Sequence, residues 1–371
     1  MIQPHSPLHS LTSGHWFKLI CGASFQDLPT IRNLTLAYSL AGADCIDVAA
    51  DPAVIAVARE GLVVASQLEP TAAPLLMASL NDGVDPHFRK AEFDPRRCPP
   101  DCPRPCAQVC PTAAIPTSSA TGVIDARCYG CGRCLPVCPF GYIEERAYVS
   151  APELVVPQLF AAGIDALEIH THCGNEEGFR RLWRAIQPWS DRLQLLAISF
   201  PDHPDLIPYL KTLTQILDPL PCPLLWQTDG RPMSGDIGKG TTHAAIALAQ
   251  KVLGANLPGF IQLAGGTNGA TVPKLQQLGL LSGNPSPIAG VGYGSYARRL
   301  LAAPLGAVME RSALAYPSAL AYPSPPHLEA HPHLLRAAIA QAVTLIRPLK
   351  VGQSSRASPA LGSNPDQSFV S

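Results

Sequence analysis

Eight of the twelve cysteines in this 371-residue chain lie within 41 residues, from Cys98 to Cys138. They form two quartets, and the last cysteine of each quartet is followed by proline. Thiolate sulfur at this density can enclose an iron–sulfur cluster, which few other sites require. The feature therefore predicts the cofactor and, with it, one-electron transfer or redox sensing. The first quartet is Cys98, Cys102, Cys106 and Cys110, and the second is Cys128, Cys131, Cys134 and Cys138.

The second quartet has the spacing C-x2-C-x2-C-x3-C-P. This run is typical of bacterial-type [4Fe–4S] ferredoxins. The small residues Gly130 and Gly132, between the ligands, let the backbone curl around a cubane and turn its N–H groups toward sulfur. The second quartet therefore predicts a [4Fe–4S] cluster.

The first quartet departs from that pattern, because three residues separate each cysteine from the next. A four-residue step would place all four sulfurs on one face of a helix, but Pro99, Pro100, Pro103 and Pro105 forbid that helix. The segment must therefore loop around its metal. A second [4Fe–4S] cluster is the favoured interpretation. A structural zinc ion is the alternative, since all-cysteine zinc sites tolerate such spacings.

In two-cluster ferredoxins the fourth cysteine of each run ligates the other cluster. Applied to this chain, the rule predicts two mixed ligand sets. The proline after each fourth cysteine then fixes the backbone where the chain passes from one cluster to the other. One predicted set is Cys128, Cys131 and Cys134 with Cys110, and the other is Cys98, Cys102 and Cys106 with Cys138.

Five arginines lie in the same block: Arg96, Arg97, Arg104, Arg127 and Arg133. Positive charge beside an anionic cluster stabilises its reduced form and raises its reduction potential. The same residues could equally form a solvated face or a docking patch for an acidic electron carrier. The sequence leaves these interpretations open.

Two of the remaining cysteines, Cys21 and Cys45, lie in strand patterns and are expected to be buried small hydrophobic residues. Cys173 follows His170 and His172 at a strand end, so a metal site there is an alternative to an inert thiol. A single triplet of this kind is weak support for a metal.

Apolar runs on either side of the cysteine block alternate with segments whose apolar residues recur every three or four positions. Eight such strand–helix units in about 300 residues predict an α/β fold, a (β/α)8-like barrel, with the cysteine block inserted after the third strand. A doubly wound open sheet is the alternative, since periodicity does not show whether a sheet closes. The predicted strands are 16–24, 45–50, 74–80, 165–171, 193–199, 223–228, 259–264 and 288–293.

The predicted domains are the first part of the barrel (1–92), a ferredoxin-like domain with two [4Fe–4S] clusters (93–148), the second part of the barrel (149–311) and a C-terminal region (312–371). In that last region we expect a Pro- and Ala-rich linker, a helix at about 332–346 and a disordered tail from Gly352. Residues 1–15 are polar and are expected to be frayed.

The formal net charge is −1 and charged residues make up 15% of the chain, so no general attraction to nucleic acid is expected. The most apolar stretch, residues 61–80, is interrupted by Gln67, Glu69, Pro70 and Pro74 and cannot span a bilayer. No N-terminal segment has the pattern of a secretion signal. We therefore expect a cytoplasmic protein, in which clustered cysteines favour metal over disulfides.

Glycine-rich loops at 234–242 and 264–271 lead into predicted helices, and a third follows the last strand at 290–295. Backbone N–H groups at helix starts bind anions, so a flavin or nucleotide is a hypothesis. Lys239 is followed by Gly240, so the first loop is not a Walker A loop, and tight turns alone would also explain the glycines. The polar residues of the predicted barrel mouth are Asp27, Asp51, Asn81, Asp82, His170, His172, Asp202, His203, Asp229 and Asn268.

The chain contains the segment GASFQDLPTIRNLTLAYSLAGADCIDVAADPAVI, then the two ferredoxin-type runs, then TDGRPMSGDIGKGTTHAAIALA. This order resembles the cyanobacterial light-dependent period family over roughly residues 14–310. The resemblance implies an iron–sulfur protein that reports cellular redox state, and hence light, to the circadian clock. Its implied partners are clock or redox signalling proteins, with quinone or ferredoxin-type electron carriers as further candidates.

Two other functions stay open. A barrel oxidoreductase could use the clusters to pass electrons to a flavin or small substrate at the mouth, where Asp229 and Lys239 would be the first residues to replace. A plain electron carrier is disfavoured, because a ferredoxin does not need about 300 residues of additional fold. The favoured interpretation is a redox sensor rather than an enzyme.

Overall fold

The computed structural model describes residues 7–22, 28–70, 74–83, 89–110, 113–117, 121–125, 127–128, 130, 132–147, 151–231, 238, 240–281, 285–315 and 327–350. Eight parallel strands form a closed barrel, and two further strands form an antiparallel hairpin. The barrel strands are β1 (Trp16–Ile20), β2 (Cys45–Ala49), β3 (Leu75–Asn81), β6 (Ala166–His170), β7 (Leu195–Phe200), β8 (Leu224–Asp229), β9 (Phe260–Ala264) and β10 (Gly290–Tyr293). The hairpin strands are β4 (Arg89–Glu92) and β5 (Glu144–Ala147).

The barrel closes where β1 pairs with β10, with Trp16 opposite Gly290. Across the insertion β3 pairs directly with β6, with Asn81 opposite His170. The closed sheet confirms the predicted barrel over the open-sheet alternative. The hairpin lies between β3 and β6 in the chain, which confirms that the cysteine block follows the third barrel strand.

Helices surround the barrel, and in the described part of the chain none of them is long and apolar enough to cross a membrane. The helices are α1 (Pro7–Ser13), α2 (Leu28–Leu40), α3 (Pro52–Leu68), α4 (Pro105–Gln108), α5 (Cys134–Val137), α6 (Pro152–Ala161), α7 (Glu176–Ile186), α8 (Leu206–Leu217), α9 (Thr242–Leu253), α10 (Thr271–Gln277), α11 (Ser295–Leu300), α12 (Ala302–Ala315) and α13 (Pro332–Lys350). The C-terminal helix is α13, which is four residues longer than predicted. The predicted disordered tail lies outside the described residues.

The bounds of α3 show how local sequence fixes these helices. The Asp51 side chain accepts a hydrogen bond from the Ala53 N–H at 2.8 Å, and Pro52 occupies the first helical position, where its missing N–H is not needed. Gly61 lies against α2, because a Cβ there would come within 2.6 Å of the Arg32 carbonyl oxygen. Glycine at this position therefore lets the two helices pack closely.

The N-terminal helix α1 packs against the N-terminal end of the barrel. Leu11 is only 1% exposed and joins the apolar cluster formed by Trp16, Cys45 and Met77 at that end. The expectation that residues 1–15 are frayed is therefore wrong for residues 7–15. A short polar segment gives little helical signal, and the helix is stabilised by burial of its few apolar side chains against the barrel.

The C-terminal helix is held to the barrel by a buried carboxylate. Asp44 is 5% exposed, and its oxygens accept hydrogen bonds from Ser10 Oγ at 2.8 Å and from the Phe17 N–H at 2.7 Å. Lys350, the last residue of α13, pairs with the same carboxylate at 2.5 Å. Burial raises the pKa of Asp44, and the Lys350 ammonium opposes that effect. One carboxylate thus ties together α1, β1 and α13.

We expect Lys350→Met to lower the free energy of unfolding by about 2 kcal/mol at pH 8, because the buried Asp44 carboxylate loses its cation. The pKa of Asp44 is higher in the folded protein than in the unfolded chain. The contribution of Asp44 to the free energy of unfolding therefore falls as the pH rises from the unfolded-state pKa to the folded-state pKa. Removing Lys350 raises the folded pKa further. The loss of stability should therefore be smaller at pH 5 than at pH 8.

Thermal denaturation of the full-length protein at both pH values measures this difference. Lys251→Met is the matched control, because its pair with the exposed Asp202 side chain should contribute less than about 0.5 kcal/mol. An equal loss at pH 5 and pH 8 for Lys350→Met would show that Asp44 is not the group responsible.

Candidate functional site

The cysteine block folds around its own small apolar core, on the β4–β5 hairpin and the one-turn helices α4 and α5. No helix runs through residues 98–104, as the prolines predict, and Pro105 is tolerated because it is the first residue of α4. None of the described cysteines forms a disulfide. The core residues are Ala91, Phe93, Cys106, Ala107, Ala114, Ile115, Cys128, Cys134 and Ile143.

Four cysteines line one cavity of this domain, which encloses about 310 Å³ including space open to solvent. They are Cys98, Cys102, Cys106 and Cys138. The first three belong to the first quartet, and the fourth comes from the second quartet. Phe140, which also lines the cavity, is 45% exposed, so this cavity lies close to the protein surface.

Three cysteines line a second cavity, which encloses about 430 Å³ including space open to solvent. They are Cys110, Cys128 and Cys134. Here Cys110 comes from the first quartet. Cys131, the fourth predicted ligand, lies outside the described residues. Among the cysteines that are described, each cavity therefore gathers the set that the two-cluster rule predicts. The ligand sets themselves remain predictions.

The last cysteine of each quartet accepts a hydrogen bond from a backbone N–H group that follows it in the chain. The Ala114 N–H donates to Cys110 Sγ at 3.2 Å, and the Tyr142 N–H donates to Cys138 Sγ at 3.4 Å. Each donor lies four residues after its cysteine, on the far side of the Cys-Pro step. Backbone N–H groups directed at sulfur stabilise a thiolate and are a means of tuning iron–sulfur clusters.

Left-handed backbone occurs at matching points of the two halves. Ala113 (φ 49°) and Gly141 (φ 62°) each lie three residues after the fourth cysteine of a quartet. Arg104 (φ 50°) and Gly132 (φ 71°) each lie two residues before the third cysteine of a quartet. Residues other than glycine adopt this conformation at a cost of about 1–2 kcal/mol. The strain at Ala113 and Arg104 indicates that the first half must follow the same path as the second despite its different spacing.

These features together fit an iron–sulfur cluster, because each cavity offers several thiol sulfurs and N–H groups directed at sulfur. In the described residues no three His, Cys, Asp or Glu side chains converge on a point where they could share one metal ion. A cubane does not require such convergence, since its cysteines bind different irons and surround the cluster.

The backbone that follows Cys138 favours the thiolate form of this cysteine. Burial raises the pKa of the Cys138 thiol, but N–H groups of Tyr142, Phe140, Ile143 and Gly141 lower it by more, so the net pKa is below the ordinary value. The turn after Cys138 thus presents successive N–H groups to sulfur. Such a turn prepares the thiolate form that binds iron.

The five arginines of the block do not form one patch. Arg104 is 7% exposed, lines the first cavity and donates to the Pro116 carbonyl oxygen at 3.0 Å. Arg133 lines the second cavity. These two are placed to act on a cluster, whereas the other three are exposed on the surface. The exposed arginines are Arg96, Arg97 and Arg127.

Lys90, which was not predicted as a site residue, lines the second cavity from β4 and is 4% exposed. Its Nζ donates to the Asp125 carbonyl oxygen, and the Asp125 carboxylate pairs with Arg146 at 2.9 Å. The β4 segment RKAE has no alternation of apolar and polar residues, so nothing in the sequence marked it as a strand with one inward face. Its orientation follows from pairing with β5.

A second polar cluster that sequence analysis missed lies inside the barrel. On seven barrel strands, an apolar residue points into the barrel near the N-terminal end. The residue two positions later on the same strand points inward as well, and it is polar. The apolar set is Trp16, Cys45, Met77, Ala166, Ala197, Leu225 and Phe260. The polar set is Lys18, Asp47, Ser79, Glu168, Ser199, Gln227 and Gln262. The interior therefore becomes polar toward its C-terminal mouth.

Lys18 is at the centre of this polar layer. Its Nζ contacts the Glu168 carboxylate and lies 3.1 Å from Asp47 Oδ2 and 3.0 Å from Gln227 Oε1. Gln227 Nε2 in turn donates to Glu168 Oε1 at 2.8 Å. Because β1 and β6 are not neighbouring strands, the contact between Lys18 and Glu168 crosses the barrel interior. Both side chains are fully buried.

Asp229 and His170 lie beyond this layer, at the C-terminal ends of β8 and β6. Burial raises the pKa of Asp229 to about 7, although the Lys18 ammonium and a hydrogen bond from Gln227 act in the opposite direction. His170 Nδ1 lies 3.5 Å from Glu168 Oε1, and its side chain is 36% exposed. The mouth therefore presents two titratable groups above a buried ion pair.

The other cysteines have structural surroundings. Cys21 and Cys45 are fully buried, as predicted. His170 Nδ1 lies 2.5 Å from Ser199 Oγ, and the three-residue ligand group predicted with Cys173 is not found among the described side chains. Nothing in the structure supports a metal at that triplet.

Several predicted mouth residues stabilise loops. Asp82 accepts a hydrogen bond from Asn175 at 2.8 Å, and the Asn268 amide donates to the Gly238 carbonyl oxygen at 2.8 Å. The flavin or nucleotide hypothesis stays a prediction, because most of the first glycine-rich loop lies outside the described residues. Asp27 and Lys239 also lie outside them.

Solved structures that resemble this chain are distant in sequence. The carboxyl transferase domain of Rhizobium etli pyruvate carboxylase aligns at 12% identity and a TM-score of 0.43, covering 95% of this chain and 51% of that one. Tryptophan synthase from M. tuberculosis aligns at 11% identity and a TM-score of 0.43, covering 92% of this chain and 100% of that one. Neither similarity bears on function.

Sequence comparison is far more specific. Residues 98–149 match the LdpA Fe-S cluster-binding domain, and residues 158–348 match the Light dependent period A C-terminal domain. The curated protein Light dependent period A of Synechococcus elongatus is 52% identical over 359 residues, which cover 95% of this chain and 97% of that protein. The chain thus carries an iron–sulfur cluster-binding domain and belongs to the light dependent period A family.

Proposed function

We propose that the protein binds two [4Fe–4S] clusters and acts as a redox sensor that passes light-dependent redox state to the circadian clock. The observation that carries the proposal is the pair of cavities in one small domain, each lined by cysteines from both quartets. Family membership supports the link to the clock, since the curated relative is named for a light-dependent period.

In this proposal the first-cavity cluster is held by Cys98, Cys102, Cys106 and Cys138, and the second-cavity cluster by Cys110, Cys128, Cys131 and Cys134. Each bound cluster supplies reversible one-electron chemistry. The chain itself supplies thiolates, N–H groups directed at sulfur, and the positive charges of Arg104, Arg133 and Lys90 at the cavity walls.

Both cavities have partly exposed walls. The exposed Phe140 and the half-buried Cys98 border the first cavity, and the half-buried Cys110 and Arg133 border the second. An electron-transfer partner that docks on this domain can therefore come close to either cluster. In this proposal, clock proteins read the reduced state as binding partners.

Cysteine variants test the mixed ligand sets. The protein purified without oxygen should contain about eight irons and eight sulfides, as two cubanes require. Cys110→Ala should remove the same EPR signal as Cys134→Ala, because both cysteines line the second cavity. Cys138→Ala should instead match Cys106→Ala. Iron and sulfide analysis with EPR during a redox titration provides the comparison.

Two results would contradict the proposed clusters. About four irons and four sulfides, together with stoichiometric zinc, would leave only one cubane and support the zinc alternative for the first quartet. If Cys110→Ala matched Cys106→Ala, each quartet would bind its own metal and the mixed sets would be wrong.

Replacing Lys90 tests the electrostatic role of the second cavity. Lys90→Met should lower the reduction potential of the second-cavity cluster by tens of millivolts, on the order expected when a nearby positive charge is lost in a partly desolvated site. The potential of the first-cavity cluster should change less. Arg96→Gln is the control, because that exposed side chain is already paired with Asp94. Equal shifts in both variants would exclude a specific role for Lys90.

The sensing function is tested in Synechococcus elongatus after deletion of its own relative. The wild-type chain should restore the dependence of the circadian period on light intensity, measured with a luminescent reporter. A Cys106→Ser, Cys134→Ser double variant should not restore it, because both clusters lose a ligand. A Cys21→Ser variant, which changes a buried cysteine of the barrel, is the control. Restoration by the double variant would show that the clusters do not carry the signal.

A further inference from the structure

The polar layer inside the barrel is not explained by stability. Interiors of such barrels are filled mainly by branched aliphatic side chains. Burying an ion pair costs desolvation energy, and replacing it by apolar residues is often neutral or stabilising. The fully buried pair of Lys18 and Glu168 therefore points to a function. It lies in the C-terminal half of the barrel, where catalytic residues of barrel enzymes are found.

Lys18 Nζ is shielded from water and has a possible proton acceptor beside it. Its three polar neighbours are the carboxylates of Glu168 and Asp47 and the amide oxygen of Gln227, which accepts at 3.0 Å. Glu168 is in direct contact and can take the lysine proton. A lysine that is shielded from water and has a proton acceptor beside it can attack carbonyl carbon and form a Schiff base.

We propose that Lys18 is the nucleophile of a second functional site, in which a small uncharged hydroxy-aldehyde or hydroxy-ketone is bound covalently as a Schiff base. This site is independent of the iron–sulfur clusters. The ligand comes from the C-terminal mouth, past the partly exposed His170 and Asp229, and displaces the Gln227 amide oxygen from Lys18 Nζ.

The charges of the site select the class of ligand. Two carboxylates, those of Asp47 and Glu168, contact the single ammonium, and the Asp229 carboxyl lies at the mouth, so an anionic 2-oxo acid is disfavoured. Hydroxyl groups of a neutral ligand can instead replace hydrogen bonds within the polar layer. Gln227 has an amide there, and the Ser79 and Ser199 hydroxyls, which bond to Asp47 and His170, belong to the same layer. A hydroxylated aldehyde or ketone satisfies both requirements.

Glu168 carries the protons of the reaction. It accepts one from the Lys18 ammonium, and the freed amine forms the C–N bond while the carbonyl electron pair moves to oxygen. Glu168 returns the proton to that oxygen, takes a second one from nitrogen and delivers it to the departing hydroxyl. The ammonium and the carbonyl compound thus give a protonated imine and one water, and Glu168 ends as the carboxylate.

Reductive trapping tests the proposal on the full-length protein with its clusters. The protein is incubated anaerobically with glyceraldehyde, dihydroxyacetone or pyruvate and with cyanoborohydride, and the modified lysines are mapped by peptide mass spectrometry. The adduct on Lys18 should saturate with glyceraldehyde or dihydroxyacetone and exceed that on the accessible Lys251 and Lys274 by about tenfold or more, as expected for an oriented amine. Pyruvate should give less.

An adduct on Lys18 no greater than that on Lys251 and Lys274, for all three probes, would overturn the proposal. Glu168→Gln should reduce trapping at Lys18 while leaving Lys251 unchanged, because the proton acceptor is lost and the shape is kept. Undiminished trapping in that variant would overturn the assignment of Glu168. Should Glu168→Gln fail to fold, the lysine map of the wild-type protein still decides.

Discussion

The parallel pairing of β3 with β6 is the contact on which the rest of the structure depends. The chain leaves the barrel at Asn81 and returns at Ala166, and these two strands must still lie side by side for the sheet to close. Because the two strands are parallel, the chain must also cross back to the other end of the barrel, and α6 makes that crossing. An insertion between β3 and α6 leaves this arrangement undisturbed when its two ends lie close together. The antiparallel hairpin satisfies this condition, because it brings residues 89 and 147 opposite each other. The cluster domain is therefore attached on the side of the barrel where β3 ends, which is the mouth.

Much of the barrel could be predicted because its elements have strong local patterns. The predicted strand 45–50 is observed as Cys45–Ala49, and the predicted strand 223–228 is observed as Leu224–Asp229. Elements without a pattern were missed. The helix α1 depends on burial of Leu11 against the barrel, and β4 depends on pairing with β5. Both are defined by tertiary contacts that one segment of sequence does not contain.

The candidate sites also include one part that local sequence predicts and another that depends on tertiary structure. Cysteine spacing and a general rule for two-cluster ferredoxins predicted which of the described cysteines lie together in each cavity, while the ligand sets remain predictions. The polar layer of the barrel was present in the sequence as a repeated pattern, apolar and then polar two positions later, as in Trp16–Lys18 and Ala166–Glu168. That pattern has meaning only when the strands are aligned around a closed barrel. Burial of Lys18 against Glu168 depends on this closure, which periodicity alone does not show.

The mixing of the quartets has a consequence for the order in which the protein is made. The first cavity includes both Cys98 and Cys138, so it is incomplete until the ribosome has passed residue 138. Until then the thiols of the first quartet are exposed on a nascent chain whose barrel has only three strands. Neither metal site nor barrel can shield them at that stage. A cluster held by the proposed set can therefore form only after residue 138 has been made, and until then competing metals such as zinc can reach the thiols of the first quartet.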